Sequence, residues 1–273
     1  MGLYDNKVAV VTGAASGIGK AITTRLVEEG ASVVAADYNE AGLKELAGGL
    51  RDACITMPYE ASSAADARAL VERAVSEYGR LDVVFPNAGI FDGFKFLHDT
   101  DEDLWDRVMS VNLKGYFLLA KAAMPFLLDA PVYLIGARLP AAQRAMVFTA
   151  STAGFESSQG GLAYTASKHG IVGLIRELAY EYAPKGVRIN GIAPGGTHTG
   201  LGMVEGEPSV FTPQILALVR QTTPLRQHGR PDYAAEAAVF LGSERAGHIT
   251  GEVLRIDGGY RVRGFPYPDE QPA

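Results

Sequence analysis

Short runs rich in β-branched residues alternate with longer stretches of helical hydrophobic spacing along most of the chain, and this alternation constrains the fold more than any other feature. "KVAVVTG" reads as a first strand and "GIGKAITTRLVEEG" as a helix ended by Gly30. "ASVVAAD" and "ACITM" are the next strands, followed by helices through "EAGLKELAGGL" and "ADARALVERAVSEYG". "LDVVFPNAG" is a fourth strand, and a long helix is expected across "DEDLWDRVMSVNLKGYFLLAKAAMPFLL", with Pro125 tolerated at a kink or near its end. "AMVFTAS", "GVRINGIAP" and "GEVLRIDGG" complete seven strands, and "GLAYTASKHGIVGLIRELAYEYAP" is a helix stopped at Pro184. Strands that are apolar on both faces and separated by helices predict a parallel sheet covered on both sides.

The chain has 273 residues, 47% of them hydrophobic, enough to bury one large core, so residues 1–273 are expected to form a single α/β domain. The formal charge is -6, and Lys and Arg are scattered without runs, which argues against a nucleic-acid surface and leaves small molecules as partners. Cys54 is the only cysteine, so no internal disulfide forms, and its flanks predict an inert core thiol in a reducing compartment. The first residues lead straight into a strand without a charged-then-apolar leader, and no apolar run is long enough to span a membrane; a cytoplasmic protein is expected. Residues 197–214, rich in glycine and small polar side chains, read as a substrate lid, 129–145 as an inserted loop and 265–273 as a loosely ordered tail.

"TGAASGIG" lies between the first strand and its helix. Gly13, Gly17 and Gly19 let the backbone turn tightly and approach a pyrophosphate, whose charge meets the first helical amides, those of Ser16, Gly17 and Ile18 among them. Asp37 follows Gly19 by 18 residues, at the end of the second strand, where a carboxylate accepts hydrogen bonds from adenosine ribose hydroxyls and repels a 2′-phosphate. No Arg or Lys adjoins it, which selects NAD over NADP. The arrangement predicts a doubly wound (Rossmann) fold of seven parallel strands with helices on both faces. Farther on, "YTASKHG" sets Tyr164 and Lys168 four residues apart, on one face of a helix, where a cation favours the phenolate.

These residues resemble the short-chain dehydrogenases/reductases over nearly the whole chain. The family's glycine motif matches Thr12 to Gly19; its Asn-Ala-Gly motif matches Asn87, Ala88 and Gly89, with Pro86 where asparagine is common. Its mid-helix asparagine falls on Asn112, its serine on Ser151, thirteen residues before the tyrosine, and its tyrosine and lysine on Tyr164 and Lys168. Pro194, Gly195 and Thr199, with Thr197 between them, match the segment that holds the nicotinamide carboxamide. The resemblance implies that Tyr164 moves the alcohol proton, Ser151 donates to the substrate oxygen, and Lys168 lowers the tyrosine's pKa and holds the nicotinamide ribose. Asn112 is then expected to hold a water that links the lysine to solvent. It also implies a homo-oligomer, dimer or tetramer, paired through the helices that carry Asn112 and Tyr164.

A finer resemblance, through "FPNAGIFD", "VFTASTAGF", "APGGTHTG" and "DGGYRVRGF", is to bacterial cis-dihydrodiol dehydrogenases, which oxidise arene cis-diols to catechols with NAD. That branch implies an apolar ring pocket, with Phe91, Phe94, Phe155 and Leu201 as lining and Ser157 or Ser158 in reach of substrate. A ketone reductase working in the opposite direction is the alternative, and a cofactor-sensing binding protein is a third class, disfavoured because Asn112, Ser151, Tyr164 and Lys168 are all present. The histidines at 98, 169, 198, 228 and 248 show no metal-ligand spacing, so no metal is expected, and Trp105 reads as a helix-packing anchor.

Overall fold

The hydrophobic alternation resolves into β1 (Val8–Thr12), α1 (Gly17–Glu28), β2 (Ser32–Asp37), α2 (Glu40–Leu50), β3 (Cys54–Pro58), α3 (Ala64–Tyr78) and β4 (Val83–Phe85). Then come α4 (Glu102–Met109), a π-helical turn over Ser110–Lys114, α5 (Gly115–Leu128), β5 (Arg144–Thr149), α6 (Leu162–Tyr182) and β6 (Val187–Pro194). The chain closes with α7 (Pro213–Thr222), α8 (Pro231–Gly242) and β7 (Val253–Ile256). This computed structural model describes residues 2–50, 53–128, 144–199, 201 and 212–262.

The seven strands form one sheet in the order β3-β2-β1-β4-β5-β6-β7, and every pairing is parallel. Successive side chains on a strand point to opposite faces, and this period divides the core in two. Val8, Val10, Val34, Val84, Met146 and Ile189 turn toward the face covered by α3, α5 and α6, where Leu70, Leu119 and Ile171 meet them. Ala9, Val11, Val33, Phe85 and Val147 turn the other way, against Ile22 and Leu26 of α1, Leu43 of α2 and Ala238 of α8. The doubly wound sheet expected from the alternation is therefore the observed one.

Some local features go beyond that reading. The stretch from 102 to 128 is one continuous helical path, but a π-helical turn interrupts it around Asn112, and Pro125 sits within the last turn of α5. Helices α7 and α8 were not among the expected elements, although each opens with a proline in its first turn, a recognised start signal. Thr212 caps α7, its hydroxyl accepting from the Ile215 amide at 3.3 Å, so the end of the expected 197–214 lid is helical. Positions 200 and 202–211 of that lid, 129–143 of the expected inserted loop, and the 265–273 tail lie outside the described residues. Cys54 is buried at the start of β3, and burial pushes its thiol up to about 11, which fits an inert core thiol. Among the described residues no helix is long and apolar enough to cross a membrane.

Candidate active site

From β1 the chain winds outward to β2 and β3, and from β4 it winds the other way to β5, β6 and β7. The loops after β1 and β4 therefore part at adjacent strands, opening a crevice at the carboxyl ends of the sheet, the place where doubly wound folds bind ligands. Several of the sequence-expected residues lie at the strand ends along that edge. The glycine turn follows β1, Asp37 ends β2, Asn87 to Gly89 follow β4, Ser151 follows β5, and Pro194 ends β6.

The glycine turn is built for close approach. Gly13 and Gly17 have φ of 66° and 52°, left-handed values that disfavour other residues. A Cβ on Gly13 would stand 2.8 Å from Ala88 Cα, and one on Gly19 would collide with the Gly13 carbonyl. Ser16 is the N-cap of α1 yet makes no side-chain capping bond, so the first amides of the helix, at Gly17, Ile18 and Gly19, remain open toward the crevice. Ala15 N donates to Asp37 Oδ2 at 3.0 Å and Asn39 N to Oδ1 at 2.9 Å, which fixes the carboxylate and leaves each oxygen a further acceptor site. Thr199 lies over the turn: a Cβ on Gly17 would be 3.2 Å from the Thr199 Cβ. Gly195 N donates to Ile256 O at 3.0 Å, and Thr197 Oγ1 to Gly195 O at 3.1 Å, tying the segment after β6 to β7. An open helix N-terminus, a glycine turn free of side chains and a carboxylate at the next strand end together fit a dinucleotide.

The second cluster lies on β5 and α6. Tyr164, Lys168 and Ser151 are all buried, at 6%, 3% and 8% exposure. Ser151 Oγ accepts from Ala153 N at 3.1 Å, leaving its own proton free to donate. Burial pushes the Tyr164 phenol up to about 12; the Ser151 hydroxyl pulls it back and the nearby Asp92 carboxylate adds to the rise. Lys168 Nζ donates to Thr149 O at 2.9 Å and stands 5.4 Å from the Tyr164 ring centre; burial lowers its pKa to about 7. Both groups are thus driven toward their neutral forms.

Asn112 is bonded to two other segments of the chain. Its Nδ2 donates to Ile90 O at 2.9 Å and to Ser167 Oγ at 3.2 Å, while its Oδ1 accepts from Ile90 N at 2.8 Å. With both amide protons used, the side chain clamps together the π-helical turn, the loop after β4 and α6. Asn87 likewise spends its amide on the chain itself, donating to Thr12 O at 3.1 Å and Gly13 O at 3.4 Å.

Three polar side chains of the site had been given no role from the sequence. Thr12 Oγ1 accepts from the amides of Asn87 and Ala88 at 3.0 and 3.2 Å, closing the crevice floor. Tyr116 Oη donates to Thr149 O at 3.0 Å, the same oxygen that holds Lys168. Asp92 accepts from two amides at the start of α6. Thr12 opens the glycine motif, and Asp92 and Tyr116 lie close to motif residues in the sequence. Of the expected ring lining, Phe91 packs edge-on against Tyr164 with centroids 5.1 Å apart and against Phe94 at 4.8 Å. Phe155 instead lies 4.1 Å from the Arg255 guanidinium and packs on the core. Ser157 and Ser158 are exposed, and their neighbour Gln159 donates to Tyr260 Oη at 2.5 Å. Leu201 is half-buried, its amide donating to Thr199 Oγ1 at 3.2 Å. Among the described residues no cluster of His, Cys, Asp and Glu could hold a metal ion.

Doubly wound topology with an open helix terminus at its switch point and buried hydroxyls beside it defines the class of dinucleotide-binding α/β enzymes. A family model described as enoyl-(acyl carrier protein) reductase matches residues 13–261. The chain is 36% identical over 260 residues to 3beta-hydroxysteroid dehydrogenase 2 of Eggerthella lenta, covering 93% of this chain and 94% of that protein. It is also 36% identical over 271 residues to cis-1,2-dihydrobenzene-1,2-diol dehydrogenase of Pseudomonas putida, covering 96% and 94%. Among solved structures, levodione reductase superposes with a TM-score of 0.85 at 29% identity, over 95% of this chain and 99% of that one. This chain belongs to the short-chain dehydrogenase/reductase family, and so is an oxidoreductase that uses a nicotinamide cofactor on a small-molecule substrate.

Proposed function

We propose that this protein is a NAD-dependent dehydrogenase of secondary alcohols, with cis-dihydrodiols as its substrate class and Tyr164 as its general base. The observation that carries this reading is the burial of Ser151 and Tyr164 at the carboxyl edge of the sheet, with Lys168 on the same helix face as the tyrosine. Asp37 supports NAD: its carboxylate repels a 2′-phosphate, and Tyr38 and Asn39 beside it carry no compensating charge. The open amides at Gly17, Ile18 and Gly19, with Ser16 and the Gly13 turn, would hold the pyrophosphate. Ala88 and Gly89, beside the turn, would border the cofactor, and Pro194, Gly195, Thr197 and Thr199 would face its nicotinamide end.

When bound, the nicotinamide supplies the hydride acceptor and, in its oxidised form, a positive charge. Ser151 Oγ donates to the substrate oxygen and holds the carbinol in place. Tyr164, as phenolate, would take the hydroxyl proton as the carbinol becomes a carbonyl. Lys168 as ammonium favours that phenolate. The apolar edge made by Phe91 and Phe94 suits a ring. Exposed Phe117 on α5 and Tyr180 on α6, at 47% and 81%, support pairing of subunits through these helices as a dimer or tetramer.

One observation favours the reverse reaction as a second reading. With its phenol near 12, Tyr164 is protonated at neutral pH, the form that gives a proton to a substrate carbonyl. A panel separates the two readings: NAD or NADP with cis-dihydrodiols and simple secondary alcohols, and NADH or NADPH with ketones, followed by nicotinamide absorbance. Oxidation of a diol with NAD is expected, and Tyr164→Phe should cut it by about 10²–10⁴-fold while cofactor still binds. Turnover confined to ketones with NADPH would reject the dehydrogenase reading, and a Phe variant of near-parental rate would reject Tyr164 as base.

A further inference from the structure

We propose that Asp92 is a positioning residue for Tyr164: its carboxylate caps α6 from the loop after β4 and so fixes the tyrosine against the substrate crevice. The inference rests on the reading of Tyr164 as the proton-transfer group.

Asp92 is 3% exposed. A buried carboxylate is tolerated only when its oxygens are taken up by donors, and here both are. Oδ1 accepts from Gly161 N and Oδ2 from Tyr164 N, each at 2.9 Å. Helix α6 has no cap of its own: its N-cap residue is Gly161, which has no side chain to offer, and no local side chain bonds its first turn. A cap normally comes from a Ser, Thr, Asp or Asn at the N-cap position itself. Asp92 does that work from 72 residues upstream of Tyr164, and one of the two amides it takes belongs to the tyrosine. The pairing is also sterically matched, because a Cβ on Gly161 would collide with the Asp92 carboxylate.

The rest of the loop is held as firmly. Ile90 is bonded through both its N–H and C=O to Asn112. Phe91 packs its ring against that of Tyr164, and Lys95 O accepts from Leu162 N at 3.1 Å. Residues 90–95 therefore form a strap from the π-helical turn to the start of α6, with Asp92 as its central fastening. A negative charge is favourable at a helix N-terminus, and the same charge opposes ionisation of the Tyr164 phenol. Asp92 thus sets both where the hydroxyl sits and how readily it loses its proton.

Asp92→Asn keeps the volume and one acceptor oxygen but loses the charge and the acceptor for one amide; Asp92→Ala loses both acceptors. In the cofactor-free protein, hydrogen exchange across residues 160–166 should quicken by about tenfold in the Asn variant, while exchange across 170–178 is unchanged. With the best substrate of the panel, kcat should fall about tenfold for Asn and further for Ala. The KM for cofactor should stay within about threefold in both variants. The ascending alkaline limb of the kcat/KM profile should move to lower pH in the Asn variant, a shift that a merely structural cap would not produce. If the alanine chain does not fold, the near-isosteric Asn variant decides. Unchanged exchange over 160–166, or an unmoved pH limb with kcat within about twofold of the parent, would overturn the proposal. The exchange measurement needs no turnover, so it judges the Asp92 clamp even if Tyr164→Phe shows that the tyrosine is not the base.

Discussion

Lys168 and Tyr116 share one acceptor: the ammonium donates to the Thr149 carbonyl at 2.9 Å and the phenol to the same oxygen at 3.0 Å. Both side chains are buried, at 3% and 2% exposure, and Lys168 Nζ also lies 5.6 Å from the Tyr116 ring centre. The lysine expected beside a phenolate is therefore docked on the end of β5, between two aromatic faces.

The docking has a consequence for stability against pH. Burial lowers the Lys168 pKa to about 7, against about 10.4 in an unfolded chain. Between those values the unfolded chain binds more protons than the folded one, so this group makes the fold more stable as pH rises from 7 toward 10. Tyr164 acts oppositely: its raised pKa contributes stability below pH 10 that is lost between 10 and 12, so the comparison belongs below 10. Urea midpoints of the parent and Lys168→Met at pH 7 and 9.5 should show a rise in the parent that is smaller or absent in the variant. Equal pH dependence in the two would mean that Lys168 keeps its proton in the fold.

Asp37→Ser should raise the use of NADP relative to NAD. The change removes a charge that repels phosphate and keeps a small hydrogen-bonding side chain at the end of β2. It also removes the acceptor for Ala15 N in the glycine turn, so a parallel loss in NAD affinity of roughly 1–2 kcal/mol is expected. Ratios of kcat/KM for the two cofactors read the first effect and titrated Kd values the second; an unchanged ratio would remove Asp37 from cofactor choice.

Arg188 is a structural counterpart, far from the crevice. Buried in β6, it donates from Nη1 to Leu241 O at 2.6 Å and from Nη2 to Gly242 O at 3.1 Å and Ser243 O at 2.9 Å, where α8 ends. Arg188→Met leaves those carbonyls without their donor, and a loss of about 3 kcal/mol in unfolding free energy is expected. Denaturant unfolding followed by circular dichroism would measure it, and a loss below about 1 kcal/mol would show that the α8 terminus finds other donors.

Much of this architecture was legible in the order of residues. The short continuous runs of Val, Ile and Ala marked the strands because each strand must bury both faces, and the "TGAASGIG" turn announced the switch point because its positive-φ positions favour glycine. The spacing of Ser151, Tyr164 and Lys168 survived folding because a strand end and one helix face carry all three. Helices α7 and α8 are marked in the sequence only by their first-turn prolines.

What the sequence by itself determined is the sheet, its two covered faces, the glycine turn and the positions along the chain of the hydroxyls and the lysine, since these depend on local periodicity and on residue type. The tertiary structure decided which groups those side chains meet. Asp92 caps a helix 72 residues downstream, Asn112 is committed to Ile90 and Ser167, Phe155 goes to Arg255, and Lys168 docks on Thr149. Each of these is a contact between segments distant in the chain, set by strand order and by which buried polar atom lies nearest. Local pattern carries no information about such neighbours, because a buried donor takes whichever acceptor the packing of other elements brings within reach.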